Sequence, residues 1–239
     1  MKTNFDKSGI GANAPDGAAA PDMSPLSFDS EYNTRLLLIR HGESFGNMVR
    51  RFLGHTNFGL SERGRTQAER TAEFLCDMQV DAIYSSDLSR AYETATPIAE
   101  RHSMNIITDK ELREIHVGSW EGFLVVELQE WFGKYFTEEW GENFGTFRGA
   151  PGGESVQHLR ERIGAELLKI ARENVGKTVL VVFHAAAIRA AFGEIAGIAP
   201  ENIGKELPFP SNASISVVYY DGDRLVAGEY SHDGHLADL

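Results

Sequence analysis

From Thr34 onward, short runs dense in Leu, Ile and Val alternate with longer stretches of helical spacing, and no other pattern in the chain limits its fold so sharply. Thr34–Ile39 reads as a buried strand. Ser61 can cap a helix from about Glu62 to Cys76, with Ala68, Thr71, Ala72 and Leu75 on its inner face. Asp81–Ser85 reads as a second strand, and Ser89 as the cap of a helix reaching about Arg101, with Ala91, Ala95, Ile98 and Ala99 on one stripe. Asn105–Thr108 is a short strand. Ser155 opens a helix to about Glu173, Lys177–Phe183 is another buried strand, and Ala185–Ala196 follows as a helix. Ser214–Tyr220 and Arg224–Tyr230 form a hairpin about Asp221-Gly222. Strands spaced by helices predict an α/β fold of three layers, α/β/α, around a mostly parallel central sheet with an antiparallel edge.

Two segments depart from this rhythm. Residues 1–33 are rich in Gly, Ala, Pro, Asp and Ser without a persistent period, which is the composition of a flexible N-terminal tail preceding a domain at 34–239. Residues 121–153 are irregular and carry Trp131, Phe132, Tyr135, Phe136, Trp140, Phe144 and Phe147, with Leu124–Phe136 readable as one helix. Such a segment serves either as core or as a lid that sets specificity. Its basic residues are Lys134 and Arg148, which favours a ligand with an apolar or neutral body over one with many anionic groups.

Charge narrows the partners. Lys and Arg number 23 against 35 Asp and Glu, a formal net charge of -12, which speaks against nucleic acid and against an anionic membrane. An acidic chain that binds an anion must gather its cations locally. The single cysteine, Cys76, excludes an internal disulfide, and its helical setting predicts a packed thiol rather than a reactive one. No Cys/His spacing resembles a zinc site. The polar N-terminus and the lack of a long apolar run point to a cytoplasmic protein with no membrane segment.

Chemistry-bearing residues sit where strands end. Arg40-His41-Gly42-Glu43-Ser44 follows the run Leu36–Ile39, and His184 follows Val179–Phe183. If those strands are parallel neighbours, both imidazoles face one crevice at the carboxyl edge of the sheet, where open α/β sheets bind ligands. The helix beginning at Ala185 would point its free N–H groups there too. Arg90 lies in the first turn of its helix, an unfavourable place for a cation unless an anion is near. Glu114 lies in a Gly- and Trp-rich loop ending Gly118-Ser119-Trp120-Glu121-Gly122.

Taken in this order, the islands resemble the histidine phosphatase superfamily, also called phosphoglycerate mutase-like. The similarity runs from Thr34 to about Tyr220. It rests on Arg40–Ser44, Asn47 six residues after His41, Leu60–Gly64, Ser85–Ala91, Glu114 in its loop, Pro151–Ser155 and the strand-borne His184. The resemblance implies that His41 is a nucleophile toward phosphorus, with Arg40, Arg90, Asn47, His184 and the Ala185 N–H holding phosphoryl oxygens. Nucleophilic attack needs a neutral imidazole, and the two arginines depress its protonation. Glu114 would protonate the leaving oxygen and then accept a proton from water. In that scheme guanidinium groups stand where other phosphatases use a metal, so neither metal nor cofactor is implied.

Two positions depart from the family pattern. Phe183 and Ala185 stand where relatives have a small polar residue and a Gly around the second histidine, and a methyl at 185 narrows the room for phosphate. Leu53 precedes Gly54 where mutases have a Thr, and the context after Glu114 is similar to the phosphatase branch. Hydrolysis of small-molecule phosphate monoesters is therefore the expected activity. A cofactor-dependent phosphoglycerate mutase and a non-catalytic phospho-ligand-binding module are the alternatives, and a homodimer is compatible with all three.

Overall fold

The computed structural model describes Leu26 and residues 28–239. The elements follow the alternation of the sequence. Strand β1 (Thr34–Arg40) leads to a short helix α1 (Phe45–Met48) and then α2 (Glu62–Leu75). Next come β2 (Ala82–Ser86), α3 (Ser89–His102) and β3 (Ile106–Asp109). Helices α4 (Val125–Phe132) and α5 (Lys134–Trp140) precede the long α6 (Val156–Glu173). The chain then forms β4 (Thr178–Phe183), α7 (Ala185–Ile195), α8 (Pro200–Glu206), β5 (Ile215–Tyr220) and β6 (Leu225–Ala227).

The six strands lie in the order β3-β2-β4-β1-β5-β6. β1 pairs in parallel with β4, Arg40 level with Phe183, and antiparallel with β5 on its other side. Side-chain alternation splits the core between the two faces. Leu36, Leu38, Val179 and Val181 pack with Leu159, Ile163 and Ala187 of α6 and α7. Leu37, Ile39, Leu180 and Val182 pack with Ala72 and Leu75 of α2 and with Ala91, Ala95 and Ile98 of α3. Full burial of each such Leu, Ile or Val contributes about 1.5–3 kcal/mol, so the two central strands anchor both layers. Because they are parallel neighbours in this register, the residues after Arg40 and Phe183 emerge side by side: the His41 N–H donates to the Phe183 carbonyl at 3.0 Å.

The loop after β1 is pressed against the first turn of α2. Ser61 caps that helix, its Oγ accepting the Gly64 N–H at 3.0 Å. A Cβ on Gly42 would lie 2.6 Å from the Gly64 carbonyl oxygen, and one on Gly64 would overlap the Glu43 carbonyl oxygen. Both glycines are present because backbone meets backbone here, and the contact fixes the height of His41.

Several expectations are corrected. Ser89 is the first helical residue of α3 rather than its cap; Leu88 occupies the cap position, and the Ser89 N–H is taken by Oδ1 of Asn57 at 2.8 Å. The single helix Leu124–Phe136 is two, broken at Gly133, whose φ of 51° is open to glycine and strained for other residues. Helix α8 has no counterpart in the sequence reading, and the last strand is only Leu225–Ala227. Cys76 is exposed at the end of α2 rather than packed. The aromatic segment divides: Phe136, Phe144 and Phe147 are buried, whereas Trp131, Phe132 and Tyr135 are exposed. Of the tail assigned to 1–33, residues 1–25 and 27 lie outside the described residues. Leu26 and Phe28 join the core on the α2–α3 face, and the Tyr32 ring stacks on Tyr219 at 4.9 Å. No helix among the described residues is long and apolar enough to cross a membrane.

Candidate active site

At the carboxyl edge of β1 and β4 lies a cavity of about 1110 Å³, lined by Arg40, His41, Asn47, Arg90, Glu114 and Ala185 among others. His184 is not among the lining residues; it is fully buried, its ring centroid 5.3 Å from that of His41.

The geometry of His41 leaves one nitrogen reactive. Its Nδ1 is 2.7 Å from the Gly42 carbonyl oxygen, an acceptor only, so that nitrogen carries the proton and Nε2 keeps its lone pair. Burial, then Arg90, then Arg40 hold the imidazole well below its ordinary range. His184 is enclosed as well and is likewise held well below that range, by burial first and Arg90 second. Its Nε2 lies 2.8 Å from Oγ of Ser86.

Both arginines are buried without an ion-pair partner among the described residues. Arg40 donates from Nη1 to the Pro210 carbonyl at 2.5 Å, while its Nε has no partner. Arg90 donates to Thr56 O at 2.9 Å and Gly54 O at 2.8 Å, and its Nε lies 3.3 Å from His41 Nε2. Burial pushes each guanidinium down to about 10, with Glu114 acting in the opposite sense. Ser44 caps α1 and Asn47 closes the capping box, its Oδ1 accepting from Ser44 N–H at 3.1 Å and Ser44 Oγ at 2.9 Å, while its Nδ2 has no hydrogen-bond partner among the described residues.

Glu114 occupies part of the helix terminus expected to serve the anion. Its carboxylate accepts the N–H groups of Ala186 at 3.1 Å and Ala187 at 3.0 Å, and that of Ile115 at 2.9 Å. Of the first N–H groups of α7, that of Ala185 has no acceptor among the described residues. Phe183 is buried in the core with Val179 and Val181, so the departure before His184 is a matter of packing rather than of the site.

Three features were missed from sequence. Ser86 was quoted only as part of a motif. His55 donates from its ring to the Glu114 carbonyl at 2.8 Å, and Glu121 accepts the His55 N–H at 2.9 Å, so the loop whose carbonyls hold Arg90 is tied to the loop of Glu114. The third is a rim of cations, Arg50, Arg51, Arg63, Arg189 and Lys205, around the same cavity as Leu53, Phe136, Trp140 and Phe209. This corrects the expectation drawn from the few basic residues of 121–153: the charge comes from α2, α7, α8 and the loop after α1. Among the described residues no three His, Cys, Asp or Glu side chains are grouped to hold a metal ion.

Comparisons with known proteins show what the chain is similar to. The family model of the histidine phosphatase superfamily (branch 1) matches residues 36–232. The chain is 34% identical over 208 residues to phosphoserine phosphatase 1 of Hydrogenobacter thermophilus, covering 86% of this chain and 95% of that one. Among solved structures it is similar to Bacillus stearothermophilus YhfR (TM-score 0.79, 28% identity, 85% and 99% of the two chains). It is also similar to a mycobacterial glucosyl-3-phosphoglycerate phosphatase in complex with VO3 (TM-score 0.75, 28% identity, 84% and 100%).

The depressed histidines set a pH response. Unfolded, each ring titrates near 6.5; folded, His41 and His184 lie well below, and buried His235 is pushed down to about 4. The unfolded chain therefore binds more protons, and stability is full above about pH 6.5 and lost as pH falls toward the folded values. Melting temperature should drop between pH 7 and pH 5 with net proton uptake on unfolding; a flat profile over that window would contradict the buried neutral rings.

Proposed function

The chain belongs to the histidine phosphatase superfamily and is a phosphoric monoester hydrolase, and from that premise we infer that His41 carries the phosphoryl group. The observation behind this reading is the Gly42 contact, which leaves Nε2 of a neutral ring unprotonated beside two unpaired guanidinium groups. Nε2 attacks phosphorus and the bond to the ester oxygen breaks, giving a phosphohistidine. Arg40, Arg90, His184, Asn47 and the Ala185 N–H take the non-bridging oxygens, in place of a metal ion. Such charge-assisted donors, already in position and screened from water, stabilise the charge that develops at phosphorus.

Glu114 supplies the proton to the leaving oxygen, and then removes one from the water that cleaves the phosphohistidine, restoring His41 and releasing phosphate. Its three backbone donors hold the carboxyl group in place through both steps. Residues 34–239 form the catalytic domain in this reading, with 121–153 setting specificity through the Phe136 and Trp140 wall.

The rim extends the substrate class. Arg50 and Lys205 have no ion-pair partner among the described residues and border the cavity. A leaving group bearing a second anion, such as a carboxylate, fits this surplus of positive charge better than a neutral one.

Two tests follow. Rapid-quench reaction with a radiolabelled phosphate ester should give an acid-labile, base-stable label on the wild type and none on His41→Ala; Glu114→Gln should slow turnover of an alkyl phosphate by about 10²–10⁴-fold. Label retained in His41→Ala, or an alkyl phosphate turned over by Glu114→Gln within tenfold of wild type, would remove that residue from its role. For the substrate class, kcat/KM for 3-phosphoglycerate should exceed that for glycerol 3-phosphate, with the margin shrinking as added salt screens the rim. Equal values at low salt would sink the second-anion assignment.

A further inference from the structure

His184 has two ring nitrogens in opposite situations. Its Nε2 lies 2.8 Å from Oγ of Ser86, the last residue of β2. Its Nδ1 is buried with no partner among the described residues. The two ring vectors diverge, so Nδ1 points away from Ser86. A buried polar atom without a partner calls for a physical explanation, and a ligand that completes it is one.

The hydroxyl restricts which tautomer the ring adopts. Ser86 Oγ accepts the Leu88 N–H at 3.3 Å, and among the described residues the acceptor in reach of its own proton is Nε2 of His184. An O–H donated to Nε2 leaves the proton of the neutral ring on Nδ1. The reverse tautomer would turn a lone pair toward an anion, against the donors that Arg40, Arg90 and Asn47 offer in the proposed site. The sheet itself places the hydroxyl: β2 and β4 pair through Ser85 and Val182, which brings Ser86 level with the turn into His184.

We propose that Ser86 is a positioning residue that fixes His184 as its Nδ1–H tautomer, so that a neutral donor meets the phosphoryl oxygens. The inference rests on the reading of this cavity as a phosphoryl site. Ser86 itself touches neither substrate nor the reacting atoms; it acts through the imidazole. A hydroxyl that merely filled space could be replaced by a methyl group without changing where the ring proton sits.

The test is ¹⁵N NMR of histidine-labelled protein, wild type and Ser86→Ala and Ser86→Thr, with inorganic phosphate as the probe ligand. Wild-type His184 should carry its proton on Nδ1. In Ser86→Ala a population protonated on Nε2 should appear, and phosphate affinity should fall about tenfold, the equivalent of one hydrogen bond. Ser86→Thr, which keeps the hydroxyl, should restore both. A proton on Nε2 in the wild type, or an unchanged tautomer in Ser86→Ala, overturns this inference alone and does not depend on any variant being active. A wild type that neither binds phosphate nor takes label on His41 overturns the phosphoryl reading and this inference with it.

Discussion

Two guanidinium groups beside His41 are buried with backbone carbonyls, not carboxylates, as their partners. Arg40 leans on Pro210, and Arg90 on Gly54 and Thr56. Carbonyl dipoles satisfy the N–H donors but do not cancel the charge, and an uncompensated buried cation costs several kcal/mol. In the proposed mechanism an incoming phosphate offsets that cost by bringing the opposite charge to both cations. This is how a chain of formal net charge -12 can hold a dianion. The same pair of charges, added to burial, keeps His41 unprotonated, so in the proposed mechanism one arrangement serves both binding and nucleophilicity.

The rest of the fold maintains that arrangement. The register of β1 with β4 sets the two imidazoles side by side, and the close approach of Gly42 to Gly64 fixes the first of them. Glu114 is pinned to the start of α7 by two backbone donors, so the carboxyl group and the second histidine move as one unit. His55 and Glu121 tie the carbonyls under Arg90 to the loop carrying Glu114. Displacing any of these elements would move a donor or a proton carrier away from the same small volume.

Much of this was legible in the chain because function here sits at strand ends, and strand ends are where apolar runs stop. Arg40-His41 and His184 stand one step beyond such runs, so a parallel sheet alone brings them together. Contacts made by carbonyl oxygens were not legible, since every residue type has one: nothing in Pro210, Gly54 or Thr56 advertises an arginine partner. Ser89 has the side chain of a cap, yet its N–H is capped from a distance by Asn57, a contact no local pattern contains. Helix α8 escaped because a seven-residue helix with one buried side chain, Ile203, has too little periodicity to register, and with it went Lys205 and part of the cationic rim. The break at Gly133 turned on one backbone angle within a stretch of uniform helical composition.

Calorimetric titration of orthovanadate into the wild type and into Arg90→Gln, each checked for an intact melting transition, addresses the central claim most directly. One vanadate per chain should bind the wild type, with affinity at least about tenfold weaker once the guanidinium is neutralised. A wild type that takes up no vanadate, or a folded Arg90→Gln that binds it equally well, would mean that the buried cations serve some purpose other than holding a phosphoryl group.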